Sequence, residues 1–596
     1  MSTELKLRAR EVRELIRSGQ LDRARSLATR LARKHPQEAP ANEAMCLVEF
    51  FAQNFDRAVY YGQRAADLEP GAPEPLANLG NCLVFAGKPA QAITSFERAL
   101  ALDPSHVAAR RGLAQVLIDQ GRLSDAADQF DVLLRDHPED PRGLPPHAAL
   151  LLEMGDAPRA AELLRRAVRA MPDDPRTASN LCSTLNYVDD VPSSEVFAAH
   201  RAYGDLIARR VRRLTPFVHP ATDDPERPLR VGLLSGDLRN HSVAFFARSV
   251  IEGLRSIEPR SFGVAAYYTH PEEDETSRHL KSIVDAWRPA ANLTPPQLGD
   301  LILHDRIDIL IDLSGHTGGE RHEVFPLRCA PVAATFIGYP NTTGVPGVDY
   351  RIADSFTDPP GPSDALCTER LVRLDPCFLC YTPYAHAPEP APSPCLSGGG
   401  VTFGSFNHLA KLSDRTVSLW TRTVLAAGDS RLLLKAKALR DERVRAGVRE
   451  RFRRAGLPAD RLELAPPDAS RADHLAMYGR VDIGLDPFPY HGTTTTCEAF
   501  HMGVPVVSLV GEVHAARVGL SLLHAVGLPE LAAGGEEEFV RIAGELAADR
   551  ARLADLRKGM RARLLASPLC DTPGYGRRLG AVLRELWRRR CAGRTG

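Results

Sequence analysis

The sequence predicts an all-α superhelix of helical repeats, followed by an α/β region with two doubly wound lobes. Three observations support this prediction: a 34-residue period in the first third of the chain, short apolar strands alternating with helical stretches after Pro225, and a segment rich in Pro and Gly between two groups of strands. The chain of 596 residues is long enough for this organisation, since about 150 residues per domain gives about four units.

The composition is that of an ordinary globular protein, because apolar residues make up 44% of the chain and charged residues 25%. The 75 basic and 75 acidic side chains cancel, so neither a nucleic acid nor a membrane surface is favoured as the main partner. No signal peptide and no membrane span are predicted, because the chain has no apolar run of the required length.

The eleven cysteines are scattered, which argues against a disulfide framework and fits reduced thiols in the cytoplasm. Cys377 and Cys380 form one Cys-x-x-Cys pair. A zinc site would need two further ligands at matching spacing, and the sequence has no second pair of this kind. A structural role is therefore favoured for this pair.

The first third of the chain repeats every 34 residues, which is the period of tetratricopeptide repeats. Prolines, small residues at helix contacts and turn glycines mark the period: Pro36, Pro70, Pro104, Pro138 and Pro172; Ala24, Ala58, Ala92, Ala126 and Ala160; Gly19, Gly87, Gly121 and Gly155. About five repeats are predicted over residues 1–174, with a concave surface of the kind that binds extended peptides. A spacer or dimerisation arm is the alternative. Residues 175–224 are predicted as a helical connecting and capping segment.

Continuous apolar strands alternating with helices predict parallel sheets covered on both faces. The predicted strands are Leu229–Leu234, Phe262–Tyr268, Ile307–Leu313, Val332–Ile337, Val401–Phe406, Arg431–Lys435, Val481–Leu485 and Val504–Leu509. A linker at 386–400 separates a first lobe (225–385) from a second lobe (401–596). Ligands of doubly wound sheets bind at the carboxyl ends of the strands, so we expect the site in the cleft between the lobes.

Polar clusters follow several of these strands. In the first lobe, Ser235–Ser242 forms a strand–Gly–polar–helix junction that makes His241 a candidate catalytic residue, although a lone histidine is more often structural. In the second lobe, four threonines precede Glu498 at a predicted helix start. Threonine hydroxyls, free backbone N–H groups and the positive end of a helix dipole suit a diphosphate. A simple threonine N-cap followed by an ordinary glutamate is the alternative.

Lys411 ends a further cluster, Phe403–Lys411, and could neutralise a departing diphosphate. The chain has no Walker A sequence, Asp-x-Asp pair or HExxH motif. A site that uses lysine, threonine hydroxyls and a helix dipole needs no metal or other cofactor, so we expect none.

Several long motifs resemble the O-GlcNAc transferase/SPINDLY group, glycosyltransferase family 41. They are Arg328–Val332, Ile337–Tyr350, Gly404–Lys411 and Asp486–Gly503, preceded by the repeats. Cys377–Pro383 and Thr493–Glu498 resemble the SPINDLY branch in particular. The resemblance implies a GT-B fold, a nucleotide-sugar donor, an inverting and metal-independent transfer, and a Ser or Thr hydroxyl of a protein as acceptor.

The resemblance also implies roles for individual residues. Lys411 matches the lysine that binds the donor diphosphate, and Thr494 and Thr495 match threonines that contact phosphate. Glu498 matches a ribose-binding acid. The remaining matched positions are His474 and Arg471 near the nucleotide base, Asn407, His408 and Thr493 within the donor motifs, His241 on the acceptor side, and Tyr339, Pro340 and Thr343 in a loop near the sugar.

The sequence departs from O-GlcNAc transferases at Glu498, His408 and Thr493, and Asn78 alone stands at the position of their asparagine ladder. The donor therefore stays open between UDP-GlcNAc, as the family default, and GDP-fucose or another sugar. Flagellin is one candidate acceptor, held in the groove of the repeats. A repeat scaffold with an inactive glycosyltransferase lobe is the alternative of another class.

Overall fold

The computed structural model describes residues 3–212, 214, 215, 217, 219, 224–468 and 470–593. Both ends of the chain and part of the predicted connecting segment 175–224 lie outside the described residues. The chain divides into two compact units: Met1–Met154 with Arg440–Val444, and Gly155–Leu439 with Arg445–Gly596. The predicted fold class is confirmed, because helical repeats precede two parallel α/β sheets.

Ten helices follow the 34-residue period: α1 (Thr3–Arg17), α2 (Leu21–Lys34), α3 (Ala39–Phe51), α4 (Phe55–Leu68), α5 (Pro73–Phe85), α6 (Pro89–Leu102), α7 (Val107–Asp119), α8 (Leu123–Asp136), α9 (Leu144–Met154) and α10 (Ala157–Ala170). The predicted turn glycines have φ between 70° and 90°, a left-handed conformation that glycine adopts at low cost. Gln53 takes the same position in the second repeat, with φ of 61°.

The buried Phe96 ring fills the space that a side chain would need at two glycines of the repeats. A Cβ at Gly80 would lie 2.6 Å from Cε1 of this ring, and a Cβ at Gly112 would lie 2.5 Å from Cζ. Gly112 stands one period after Asn78. The packing of Phe96 therefore excludes an asparagine at position 112.

Two further helices, α11 (Pro175–Leu185) and α12 (Ser193–Val211), belong to the second unit. Tyr203 and Ile207 of α12 enter the hydrophobic core of the first lobe. At Gly204 a Cβ would lie 1.7 Å from the carbonyl oxygen of Gly344. Because Gly204 has no side chain, α12 packs directly on the backbone of the first-lobe loop that contains Tyr339.

The first lobe is a seven-stranded parallel sheet in the order β3-β2-β1-β4-β5-β6-β7, the order of a doubly wound fold. Its elements are β1 (Leu229–Ser235), α13 (Ser242–Arg255), β2 (Phe262–Tyr268), α14 (Glu275–Ile283), β3 (Ala286–Pro289), α15 (Pro295–His304), β4 (Ile309–Asp312), β5 (Val332–Thr335), β6 (Tyr350–Ala353) and β7 (Arg370–Arg373). The strand order reverses between β1 and β4, so the carboxyl ends of these two strands flank the expected ligand crevice.

The second lobe is a six-stranded parallel sheet in the order β10-β9-β8-β11-β12-β13. Its strands are β8 (Thr402–Ser405), β9 (Arg431–Lys435), β10 (Leu462–Ala465), β11 (Ile483–Leu485), β12 (Val506–Leu509) and β13 (Ala532–Ala533). Its helices are α16 (Asp414–Ala426), α17 (Glu442–Arg454), α18 (Arg471–Ala476), α19 (Thr494–His501), α20 (Val518–Ala525), α21 (Glu536–Ala548) and α22 (Arg550–Leu565), followed by α23 (Thr572–Cys591). Here β8 and β11 flank the crevice.

All eight predicted strands are present; five of them are shorter by two or three residues, and β1 is longer by one. Five strands were not predicted, namely β3, β6, β7, β10 and β13. They are short, and some carry charged residues, as in the Arg-Leu-Val-Arg sequence of β7. A search for continuous apolar runs therefore does not find them.

The predicted linker 386–400 packs against the second lobe. Ser393 and Cys395 are buried, and Asp482 accepts a hydrogen bond from the backbone N–H of Cys395 at 3.1 Å. The carbonyl oxygen of Ala391 accepts from Arg557 at 2.7 Å. This segment is therefore held in place along its length rather than acting as a flexible spacer.

The last helix returns to the first lobe, although the sequence prediction assigned all of 401–596 to the second. Gly576 of α23 packs on Gly253 of α13, where a Cβ at Gly576 would lie 2.1 Å from the Gly253 carbonyl oxygen. Arg584 donates to the carbonyl oxygen of Arg227 at 2.7 Å. Among the described helices, none combines the length and apolar character needed to cross a membrane.

Candidate functional site

Lys411 lies in a short 3-10 turn, Leu409–Lys411, directly after β8. Its Nζ donates to the carbonyl oxygen of His491 at 2.6 Å and lies 4.2 Å from the centre of the Tyr490 ring. Burial lowers the pKa of Lys411 from 10.5 to about 8, against the opposing effect of the Asp486 carboxylate. A poorly solvated ammonium of this kind gains more from an anionic ligand than an exposed lysine does.

The threonine run forms the N-terminus of α19, with Thr493 at the N-cap position. The Oγ1 of Thr494 is buried and has no hydrogen-bond partner among the described residues. Thr495 donates to Oδ1 of Asn407 at 3.0 Å, which ties α19 to the end of β8. His408 accepts from the N–H of Ala410 at 3.1 Å and so caps the Lys411 turn. A lysine, a helix N-terminus and an unpaired hydroxyl therefore come together at the carboxyl ends of β8 and β11.

Glu498 lies one turn after Thr494 on the same face of α19. It is 3% exposed, and both of its oxygens are occupied: Arg471 donates to one at 2.5 Å, and His474 Nε2 lies 3.1 Å from the other. The guanidinium of Arg471 also lies 4.2 Å from the ring centre of Phe245 in the first lobe. The structure thus brings together the three residues predicted for ribose and base.

Asp486, which follows β11, supports the loop between Lys411 and α19. It is buried and accepts from the N–H of Gly492 at 2.6 Å and from Ser508 at 2.7 Å. The Gly519 N–H donates to the buried His491 ring at 3.0 Å. The loop that presents the His491 carbonyl to Lys411 is therefore held by buried hydrogen bonds.

His241 is the N-cap residue of α13, at the carboxyl end of β1. Its Nδ1 accepts from the N–H of Val243 at 3.3 Å and lies 3.7 Å from Asp237. Burial lowers the pKa of His241, so the ring is neutral at physiological pH. A ring that accepts through Nδ1 carries its proton on Nε2. This arrangement suits a residue that donates a hydrogen bond to a ligand.

The loop residues predicted near the sugar are buried, and two of them make polar contacts inside the protein. The Tyr339 hydroxyl points into the protein, 2.8 Å from both Asn186 and His200. Thr343 is fully buried, and Glu369 accepts from its N–H at 2.8 Å. Pro340 is buried as well. These contacts hold the loop on its buried side.

The described residues also include one candidate set of metal ligands. In the described part of the chain, one group of three ligand-type side chains is close enough together for a metal: Cys182, His200 and His316. Both nitrogens of His316 already contact protein oxygens, at 3.0 and 2.9 Å. Cys377 and Cys380 are free buried thiols outside this group. The absence of a metal requirement stays a prediction.

Sequence analysis missed three aromatic residues that border the site: Phe245, Tyr187 and Tyr490. Tyr187 stacks on Tyr490 with 4.7 Å between ring centres. Phe245 follows the Ser235–Ser242 cluster, and Tyr490 lies within the Asp486–Gly503 motif, so the aromatic character of both was available as a signal. Tyr187 lies in the predicted connecting segment, and no local pattern marks it.

Comparisons with known proteins agree with this architecture. A family model described as glycosyl transferase family 41 matches residues 196–380 and 395–579. A tetratricopeptide repeat model matches residues 10–73 and 78–141.

Among curated proteins, the chain is similar to the probable UDP-N-acetylglucosamine–peptide N-acetylglucosaminyltransferase SPINDLY of Arabidopsis thaliana, at 38% identity over 418 residues, 70% of this chain and 45% of the relative. The protein named SEC from the same plant is 28% identical over 424 residues, 68% of this chain and 42% of the relative. The chain thus spans less than half the length of these relatives. A solved structure of an O-GlcNAc transferase mutant from Thermobaculum terrenum matches with a TM-score of 0.79 and 33% identity, covering 87% of this chain and 98% of that one.

Proposed function

Because this chain belongs to glycosyltransferase family 41, we propose that it transfers a sugar from a nucleotide-sugar donor to a Ser or Thr hydroxyl of a protein acceptor. The observation that supports this best is the cluster at the carboxyl ends of β8 and β11. This cluster contains a cation, a helix dipole and an acidic group side by side. They are Lys411, the N-terminus of α19 and the Arg471–Glu498–His474 group. This sequence of groups suits a diphosphate followed by a ribose and a base.

In this proposal the acceptor hydroxyl attacks the anomeric carbon as the bond between that carbon and the diphosphate oxygen breaks. The proton of the hydroxyl is released to water, so the products are the glycosylated acceptor, the nucleoside diphosphate and a proton. Negative charge then grows on the departing diphosphate. Lys411, the hydroxyl of Thr494 and the backbone N–H groups of Thr494 and Thr495 stabilise this charge, and they are already in place before the reaction. Transfer would invert the anomeric centre and need no metal. His241 would bind on the acceptor side, with its Nε2 proton available for a hydroxyl oxygen.

The donor we propose as the first candidate is UDP-GlcNAc, which the names of the curated relatives specify for those proteins. GDP-fucose or another sugar is the alternative, supported by the departures from O-GlcNAc transferases at Glu498, His408 and Thr493. The acceptor would be a protein held by the repeats, with flagellin as one candidate. A cytoplasmic location fits the eleven free cysteines.

The test is nucleotide release from UDP-GlcNAc, GDP-fucose and a CMP-nonulosonic acid, assayed with and without a bacterial protein extract as acceptor source. Lys411→Ala is compared with Lys437→Ala, a matched control at an exposed lysine of the same lobe. Release from one donor, kept in Lys437→Ala and lost in Lys411→Ala, supports the proposal and identifies the sugar. Release that persists in Lys411→Ala, or no release from any donor under either condition, contradicts it.

A further inference from the structure

The loop between α11 and α12, residues 186–189, reaches both lobes of the second unit. In the first lobe, Asn186 donates to the Tyr339 hydroxyl at 2.8 Å. In the second lobe, Asp189 accepts from the backbone N–H of Arg415 at 3.4 Å. The loop is therefore held on both sides of Tyr187.

Tyr187 extends from this loop onto Tyr490. The two rings are nearly parallel, with an interplanar angle of 8° and centres 4.7 Å apart. Burial raises the pKa of Tyr187 to about 12, so its hydroxyl stays neutral at physiological pH. The Tyr490 ring is also the one on which Lys411 rests, with Nζ 4.2 Å from the ring centre. Tyr187, Tyr490 and Lys411 thus form one continuous contact chain.

We propose that Tyr187 is a positioning residue for Lys411. Stacking by Tyr187 fixes the plane of the Tyr490 ring, and this ring determines where the ammonium rests and shields it from water. A segment that the sequence predicts only as a connector thereby contributes to the donor site. The positioning role follows from the geometry, and its importance for sugar transfer rests on the proposed function.

The charged and titratable groups that face Lys411 come from the loop after β11. Asp486 favours the protonated lysine, and His491 presents its carbonyl oxygen while burial lowers the pKa of its ring. Tyr490 supplies the aromatic face. A substitution at Tyr187 does not touch Asp486 or His491, so a change in the titration of Lys411 would report the altered support of the Tyr490 ring.

The experiment measures the titration of Lys411 directly, by competitive labelling with trace acetic anhydride across the alkaline pH range and mass spectrometry of the lysine peptides. The full-length wild type is compared with Tyr187→Leu and Tyr187→Phe, and Lys437 is the reference lysine in the same digest. In Tyr187→Leu, water reaches the ammonium, so we expect the Lys411 midpoint to rise by about one pH unit, a tenfold change in the protonation equilibrium. Tyr187→Phe retains the ring and should keep the wild-type midpoint.

A parallel measurement is the Kd of UDP and GDP by calorimetry. In Tyr187→Leu we expect weaker binding by roughly tenfold, because the ammonium is displaced from its position. Tyr187→Phe should bind as the wild type does.

An unchanged Lys411 midpoint in folded Tyr187→Leu would overturn the proposal, and so would a Phe variant that shifts as far as the Leu variant. Tyr187→Met provides the same comparison if the leucine variant does not fold. If the midpoints behave as expected but the wild type binds neither nucleotide, the positioning role stands and the proposal of a UDP- or GDP-linked donor fails.

Discussion

Replacing Lys411 with methionine should abolish nucleotide-sugar turnover and at the same time stabilise the ligand-free fold. Both effects follow from one feature, a lysine that is held in a poorly solvated position before any ligand binds. Its Nζ has the His491 carbonyl oxygen and the Tyr490 ring as close contacts. A carbonyl and a ring replace only part of the hydration that an ammonium has in water.

The size of the stability effect follows from the pKa of Lys411. A fall from 10.5 to about 8 corresponds to up to about 3 kcal/mol of unfavourable free energy for the charged form in the fold at neutral pH. Methionine removes this cost. The functional loss has a separate origin: a preorganised charge on a departing anion typically contributes about 3–4 kcal/mol, which is 10²- to 10³-fold in kcat.

The pH dependence provides a second measurement. Between about pH 8 and pH 10.5 the unfolded chain holds a proton on Lys411 that the ligand-free fold has lost. The unfolded state therefore binds more protons in this window, and the free energy of unfolding of the wild type rises with pH relative to the methionine variant. Affinity for a nucleoside diphosphate should do the opposite. It should fall by up to about tenfold per pH unit above pH 8, because binding then requires uptake of a proton.

The assays are thermal unfolding without ligand and calorimetry with UDP and GDP across this pH range. Lys411→Arg is the control, since its guanidinium keeps its charge throughout. We expect an affinity without this pH dependence in the arginine variant. The reasoning is refuted if the methionine variant keeps wild-type turnover, or if the arginine variant shows the same alkaline loss of affinity as the wild type.

Three further substitutions test other parts of the structure. Glu498→Gln should raise the Kd of UDP by about tenfold or more, because a charged acceptor is lost. In calorimetry the same variant should also show a smaller preference for UDP over 2′-deoxy-UDP. An unchanged preference would argue against a contact between Glu498 and the ribose. Gly112→Ala should lower the Tm, since its Cβ would lie 2.5 Å from the Phe96 ring. Adding Phe96→Leu to the same chain should recover part of this fall in Tm. If the falls in Tm of the two single variants simply add in the double variant, the steric cause is contradicted. Arg351→Met should destabilise the first lobe by up to about 3–5 kcal/mol in chemical unfolding, because buried Asp358 loses its guanidinium partner at 2.9 Å and keeps only His514. A variant as stable as the wild type would show that the Arg351–Asp358 pair contributes nothing.

Much of the donor site could be predicted from the sequence because it is local. Thr493–Thr496 and Glu498 belong to a single helix start, and Lys411 and Asn407 follow a single strand. A strand followed by a turn and a helix places such residues at a sheet edge whatever the rest of the chain does. The hydrogen bond from Thr495 to Asn407 shows that the start of α19 lies beside the residues that follow β8.

The direction of the Tyr339 and Thr343 side chains could not be predicted in the same way. The motif that contains them follows β5 and is predicted as a loop near the sugar. Their orientation depends on Asn186, His200 and Glu369, which come from other elements. No local rule indicates that these polar partners lie behind the loop.

The sequence by itself determined the repeats, the two doubly wound sheets and the candidate phosphate-binding groups, because periodicity and strand–helix junctions are properties of neighbouring residues. Only the tertiary structure decided that the connecting segment supplies Tyr187 to the donor site, that Phe245 of the first lobe packs on Arg471, and that the last helix returns to the first sheet. These contacts join residues far apart in the chain. They form because apolar and aromatic surfaces are buried wherever the folded lobes bring them together, and no local pattern records which surfaces will meet.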